Sequence, residues 1–196
     1  MTLIANNYKN CVQFFFLDYC KKIAPKAIQS GKTKDCELII KILPSNLNLT
    51  VDLLKNKINI QFDQLIDIAV VDQPQELFRF KTVYLLLSIR FNCRLYLITR
   101  CQESKSLFSL SNFFKSAGWL EREVWDMYGI FIQKHPDLRR VLTDYGFVGH
   151  PLRKDFPLFG FKEVFFNEKT KKITYHKVNI DQNFRSFNFK NPWLKK

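Results

Sequence analysis

The 196-residue chain is 46% hydrophobic, enough for one packed domain and a tail. Its longest apolar runs, FFFL at 14–17 and VYLLLSI at 83–89, fall well short of the ~18 residues that cross a bilayer, which excludes an ordinary transmembrane helix. The net charge of +13 would suit an anionic partner, but the excess lies at the two ends: nine Lys/Arg against four Asp/Glu in residues 1–60, nine against three in 161–196, and a nearly balanced middle.

The opening residues MTLIANNYKNC carry neither a secretory-signal pattern nor an Arg-rich amphipathic transit pattern, so they give no expectation of import or export. Val12, Phe16, Tyr19 and Ile23 recur at helical spacing and predict an amphipathic helix stopped by Pro25. The polar segment IQSGKTKD at 28–35 reads as a loop, and CELIIKIL from Cys36 as a short strand bounded by Pro44. Residues 49–58 fit helix or strand equally. From Gln64 onward, LIDIAVVD, FRFKTVYLLLSI and CRLYLIT predict three consecutive antiparallel strands. Alternation around Arg79 to Tyr84 implies one buried face and one that is wet or covered by a partner. Residues 104–114 are mixed, with a helix starting there.

A second helix follows Gly118. Leu120, Val124, Met127 and Tyr128 share one face, and Gly129 stands where a C-terminal glycine cap belongs. Glu121 and Glu123 are expected in its first turn, where the helix dipole favours carboxylates, and Arg122 and Asp126 are spaced to pair on its exposed side. Pro136 and Asp137 suggest a short helix over HPDLRRVLTDYG. Five of the six glycines lie between 118 and 160, which marks this part of the chain as dependent on special backbone geometry. VFFNEKTKKITYHKV then reads as a hairpin, followed by a polar tail bearing Phe184, Phe187, Phe189 and Trp193.

Motifs that carry chemistry are missing from the sequence. Cys11, Cys20, Cys36, Cys93 and Cys101 lie far apart without a CxxC pair, so they are expected as thiols packed in a reducing compartment. His135, His150 and His176 stand singly, without HExxH spacing, and read as structural. There is no GxSxG elbow, P-loop or dinucleotide fingerprint. Glu121, Glu123 and Asp126 could be proposed as acid/base carboxylates, but residues i and i+2 on a helix do not face each other.

Trp119 to Leu158, WLEREVWDMYGIFIQKHPDLRRVLTDYGFVGHPLRKDFPL, holds six Lys/Arg and six Asp/Glu. A strip that grips phosphates would not be neutral; these charges read as satisfying one another or a partner's charges where water is excluded. The segment RSFNFKNPW could stack bases, but an extended tail alternating aromatic and polar residues is better suited to anchoring on a protein surface.

GWLEREVWDMYGI and HPDLRRVLTDYGFVGHPLRKDFPL closely resemble the signature of the 30-kDa-class subunits of respiratory complex I, the NADH dehydrogenase subunit 9 family. The resemblance continues into GFKEVFFNEKTKKI and FRSFNFKNPW, and more weakly back through IDIAVVD and FRFKTVYLLLSIRFNCRL. One departure is Val148, where relatives carry an acidic residue.

The resemblance implies an α+β fold, a mostly antiparallel sheet flanked by helices with a long irregular C-terminal extension, divided as 1–130 and 131–196. It implies a non-redox subunit of the peripheral arm, in the quinone-connecting module. Flavin, iron–sulfur clusters and quinone would sit in partners and no cofactor or metal on this chain. The partners would be the quinone-binding, hydrogenase-like large subunit and ferredoxin-like neighbours, with no nucleic acid and only indirect membrane contact.

Glu121, Arg122, Asp126, Asp137, Arg139, Arg140, Arg153, Lys154 and Asp155 would either lock the irregular backbone or pair with the large subunit, the sequence leaving both open. Phe184, Phe187, Phe189 and Trp193 would anchor the tail. Twenty phenylalanines with abundant Lys, Ile and Asn suggest an AT-rich genome and favour a mitochondrion-encoded protein on the matrix side of the inner membrane over one on the cytoplasmic side of a bacterial membrane. A basic nucleic-acid or ribosome-associated module and a stand-alone enzyme are the weaker rivals.

Overall fold

Apolar residues spaced three and four apart need a helix to bring them onto one face, and three such segments fold that way. The computed structural model describes residues 15–34, 37–182, 184–187, 189 and 193. Helix α1 (15–23) buries Phe16, Leu17 and Cys20; Val12, Cys11 and Cys36 fall outside the described residues. Helix α2 (Leu47–Asn56) follows a 3-10 turn at Pro44–Asn46 and settles the open segment, because Leu47, Thr50, Val51 and Leu54 form one buried stripe. Helix α3 (Ala117–Tyr128) is the second helix foreseen.

The main sheet runs β1 (Ile28–Lys34), β2 (Glu37–Ile42), β5 (Cys93–Cys101), β4 (Phe80–Ser88), β3 (Gln64–Asp72) in spatial order. β3, β4 and β5 form the expected antiparallel meander, and β2 joins β5 in parallel. The sheet is therefore mostly antiparallel, and the chain is α+β.

Three expectations are overturned. The segment expected as a loop is a strand over its described residues 28–34: β1 pairs antiparallel with β2, with a bulge between Ile28 and Ser30. Its polar composition is that of an edge strand with a wet side. Gly31 lets α1 lie close, since a Cβ there would stand 2.3 Å from Leu17 Cδ1. Residues 104–114 start no helix; Leu107–Phe108 (β6) instead pairs in parallel with Ile132–Gln133 (β7). HPDLRRVLTDYG is irregular because its backbone amides bond a carboxylate described below.

All three helices contribute to one core cluster with Leu38, Ile40, Phe80, Tyr84, Leu86, Leu95 and Leu97, so they share one side of the sheet. Cys20, Cys93 and Cys101 are free and buried in or beside it, and burial pushes the Cys20 thiol up to about 12. The chain divides into two compact units after Phe156, so residues 131–156 belong with the first. In the second unit, Lys162–Asn167 (β8) and Lys172–Lys177 (β9) make the foreseen hairpin.

A charged strip that caps a helix, and an aromatic tail

An α-helix leaves its last four carbonyls without partners. In α3 each of these finds a donor from the strip that follows. Gly129 N–H donates to Trp125 O at 2.9 Å, His150 Nδ1 to Asp126 O at 2.8 Å, Leu152 N–H to Met127 O at 3.1 Å and Arg153 Nε to Tyr128 O at 2.6 Å. The sequence GHPLR thus serves as a C-terminal cap, and Arg153 adds a cation where the helix dipole is negative. Gly129 makes the turn possible: its φ is +73°, and a Cβ there would lie 2.6 Å from His150 and Arg153.

Asp126 is the centre of the strip. Fully buried, it accepts the amides of Val141, Leu142 and Thr143 at 2.9–3.0 Å, the Thr143 hydroxyl at 2.7 Å and Arg140 Nη1 at 3.1 Å. Burial pushes its carboxyl up, but the Thr143 hydroxyl and the three amides outweigh this and hold it down at about 2. Arg140 also donates to Gly149 O at 3.0 Å and lies 5.9 Å from the ring centroids of both Trp125 and Phe147.

The expected exposed Arg122–Asp126 pair does not form. Both residues are buried, and Arg122 donates instead to the carbonyls of Arg139 and Arg140, at 3.1 and 3.3 Å, with its guanidinium 5.0 Å from the Trp119 ring. The helix starts at Ala117, so its first turn holds no acid, and Glu121 points into the core rather than to a dipole site. Glu121 accepts the Ser109 hydroxyl and the Leu110 amide, both at 2.6 Å, and burial raises its pKa despite those bonds. His135 stands 3.9 Å from it, donating from Nε2 to Gly118 O at 3.1 Å and accepting the Asp137 amide at Nδ1.

A second cluster ties the end of the strip to the sheet. Asp72, buried at the end of β3, takes a two-pronged contact from Arg79 at 2.7 and 2.9 Å and the Lys154 amide at 2.8 Å. The Arg79 hydrogen bond chiefly holds its carboxyl below the usual range. Arg79 reaches Asp155 at 3.0 Å and Glu103 at 3.2 Å; Arg153 also contacts Glu103, and both guanidinium groups lie within 5.4 Å of the Phe80 ring centroid.

Asp72, Arg79 and Glu103 are absent from the set that the sequence singled out. The signal for Asp72 was present: Ile68, Val70 and Asp72 alternate onto the buried face, and a buried carboxylate requires a partner. Asp137 and Arg139 pair at 2.9 Å on the surface. The Lys154 side chain meets no carboxylate within 4.0 Å among the described residues. Of the nine residues, Glu121, Arg122, Asp126, Arg140, Arg153 and Asp155 make interior or strip-to-sheet contacts, while Asp137, Arg139 and the Lys154 ammonium face outward.

In the second unit, Phe187 is 75% exposed, Phe189 92% and Trp193 89%, and Phe184 is exposed as well. Phe187 and Phe189 form an edge-to-face pair at 4.9 Å, and Phe184 packs on Phe159 at 6.1 Å. On the hairpin, Val164, Phe165, Phe166, Ile173 and Tyr175 are exposed too. Groups of three or more His, Cys, Asp or Glu able to hold a metal are not found among the described residues.

Fold and site together define an α+β domain whose charged strip closes on its own helix and sheet, followed by an extension that displays aromatic side chains. Residues 40–162 match the family described as respiratory-chain NADH dehydrogenase, 30 Kd subunit. NADH-ubiquinone oxidoreductase subunit 9 of Reclinomonas americana is 45% identical over 172 residues, covering 88% of this chain and 84% of that protein. A subunit of the NADH-quinone oxidoreductase of Paramagnetospirillum magneticum is 42% identical over 177 residues, 90% of this chain and 89% of the relative. A chain in the structure of the archaeal membrane-bound sulfane sulfur reductase, a respiratory membrane complex, superposes with a TM-score of 0.64 over 73% of this chain and 84% of its own, at 21% identity, which shows a shared fold. The protein belongs to the 30-kDa subunit family of respiratory-chain NADH dehydrogenase.

Proposed function

We propose that this chain is a non-redox assembly subunit of a proton-pumping NADH:quinone oxidoreductase, in the quinone-connecting part of the peripheral arm, where its tail docks on the quinone-binding large subunit. The observation that carries the docking role is the run of exposed aromatic side chains at Phe184, Phe187, Phe189 and Trp193. Aromatic residues dominate contacts between proteins once water is driven off them, and a run of this kind displayed along an extension suits an anchor. Flavin, iron–sulfur clusters and quinone are carried by partner subunits in this reading. Its relatives named NADH-ubiquinone oxidoreductase subunit 9 support a complex at the matrix side of the mitochondrial inner membrane; its bacterial relatives support the cytoplasmic side of a bacterial membrane as the alternative. Contact with the bilayer comes through partner subunits in this reading; no described helix is long and apolar enough to cross a membrane.

The test is gentle detergent extraction, native-gel separation and mass spectrometry of the band that oxidises NADH. The chain should comigrate with the hydrogenase-like and ferredoxin-like subunits. Migration alone, or with RNA, overturns the proposal.

A further inference from the structure

A half-exposed antiparallel sheet normally alternates apolar and polar side chains, whereas strands covered on both faces read as continuous apolar runs. β4 and β5 contain VYLLL and LYLI, the pattern of strands covered twice. Among the described residues, the three helices lie against one face; on the other, Ile39, Val83, Leu85, Leu87 and Tyr96 are partly exposed and only Ile98 is buried. The core cluster takes the inward side chains and all three helices, and it includes none of Ile39, Val83, Leu85, Leu87, Tyr96 and Ile98.

These six point the other way and are contiguous across three strands. Val83 pairs with Ile98, Leu85 with Tyr96, and Tyr96 with Ile39. The rim is mostly basic: Lys32, Lys41, Lys81 and Arg94 share this face with two acids, Glu37 and Asp67, and Arg100 is engaged by Glu76. Glu37 is itself bonded by the Tyr96 hydroxyl at 2.9 Å.

We infer that the open face of the sheet is a second docking surface, and that its occupant is another subunit of the complex presenting an apolar centre ringed by Asp and Glu. That the occupant is a subunit of the same complex rests on the proposed function. Charge decides between occupants. A second copy of this chain would set one basic rim against another. Neither end of the chain matches a basic rim: residues 1–14 contain no Asp or Glu, and residues 161–196 carry nine Lys/Arg against three Asp/Glu.

The experiment replaces Leu85 with photoreactive p-benzoylphenylalanine in the full-length chain, irradiates the purified NADH-oxidising complex and maps the cross-linked peptide. In parallel, Lys81→Glu/Arg94→Glu is scored for incorporation and for thermal unfolding of the free chain. The expected result is a cross-link to an apolar segment of another subunit flanked by carboxylates, with incorporation of the double reversal down about tenfold and its melting unchanged. If the chain is in the complex but position 85 cross-links only to its own chain, to a second copy or to nothing, this inference is overturned and the proposed function stands. If the chain is absent from the complex, the proposed function falls instead.

Discussion

Asp126 holds the strip by accepting five hydrogen bonds in a buried position. Asp126→Ala would orphan three amides and leave Arg140 without its carboxylate partner, at an expected cost of about 3–5 kcal/mol in urea unfolding. Its folded pKa of about 2 lies below the ordinary 3.8. The group therefore contributes stability above pH 3.8, about 2 kcal/mol, that is lost as pH falls from 3.8 through 2. Glu121 behaves oppositely, because its folded pKa is raised. Its contribution is favourable in acid and is lost as pH climbs above the usual carboxyl value, so Glu121→Gln should flatten the stability profile on that side; an unchanged profile would contradict the assignment. Arg153 and Arg139 separate the two roles proposed for the charged set. Arg153→Glu should destabilise the free chain, since it removes a helix cap and sets a carboxylate beside Glu103. Arg139→Glu, at a side chain 71% exposed, should leave melting unchanged and lower assembly only if that surface meets a partner.

The decisive element is the junction of α3 with the strip behind it. Gly129→Ala should cost more than the ~1 kcal/mol of a left-handed alanine, because its Cβ would also displace His150 and Arg153 from the helix end. Proteolysis between residues 140 and 156 should quicken in parallel with the loss of stability. α3 and its glycine cap were legible in the sequence because 3.6-residue periodicity and a terminal glycine are local signals. The irregular course of HPDLRRVLTDYG, read as a short helix, was not legible. Proline and acid favour a helix start locally, but Val141, Leu142 and Thr143 give their amides to Asp126, some sixteen residues away in sequence. β1 was misread for a related reason, since its partner β2 rather than its own composition makes it a strand.

For the whole molecule, the two compact units predict separable failures. Truncation after Phe161 removes the whole hairpin and the tail but none of the core cluster, so the remainder should keep its cooperative unfolding while incorporation into the complex drops. Full incorporation of the shortened chain would refute the tail's docking role. The sheet's open face predicts a different defect, in which the tail still binds but one edge of the assembly loosens.

The order of strands β3 to β5, the helices at α1 and α3, the hairpin and family membership were all contained in the sequence, because periodicity, turn residues and a long unusual motif are properties of neighbouring residues. Tertiary structure decided which charges face inward. Twelve balanced charges read the same along the chain whether they pair internally or across an interface. Only the fold brought Arg79 to Asp72, sent Arg122 to two backbone carbonyls and left Arg139 in solvent. Desolvation and hydrogen-bond geometry fix that choice, and both depend on contacts between residues far apart in sequence.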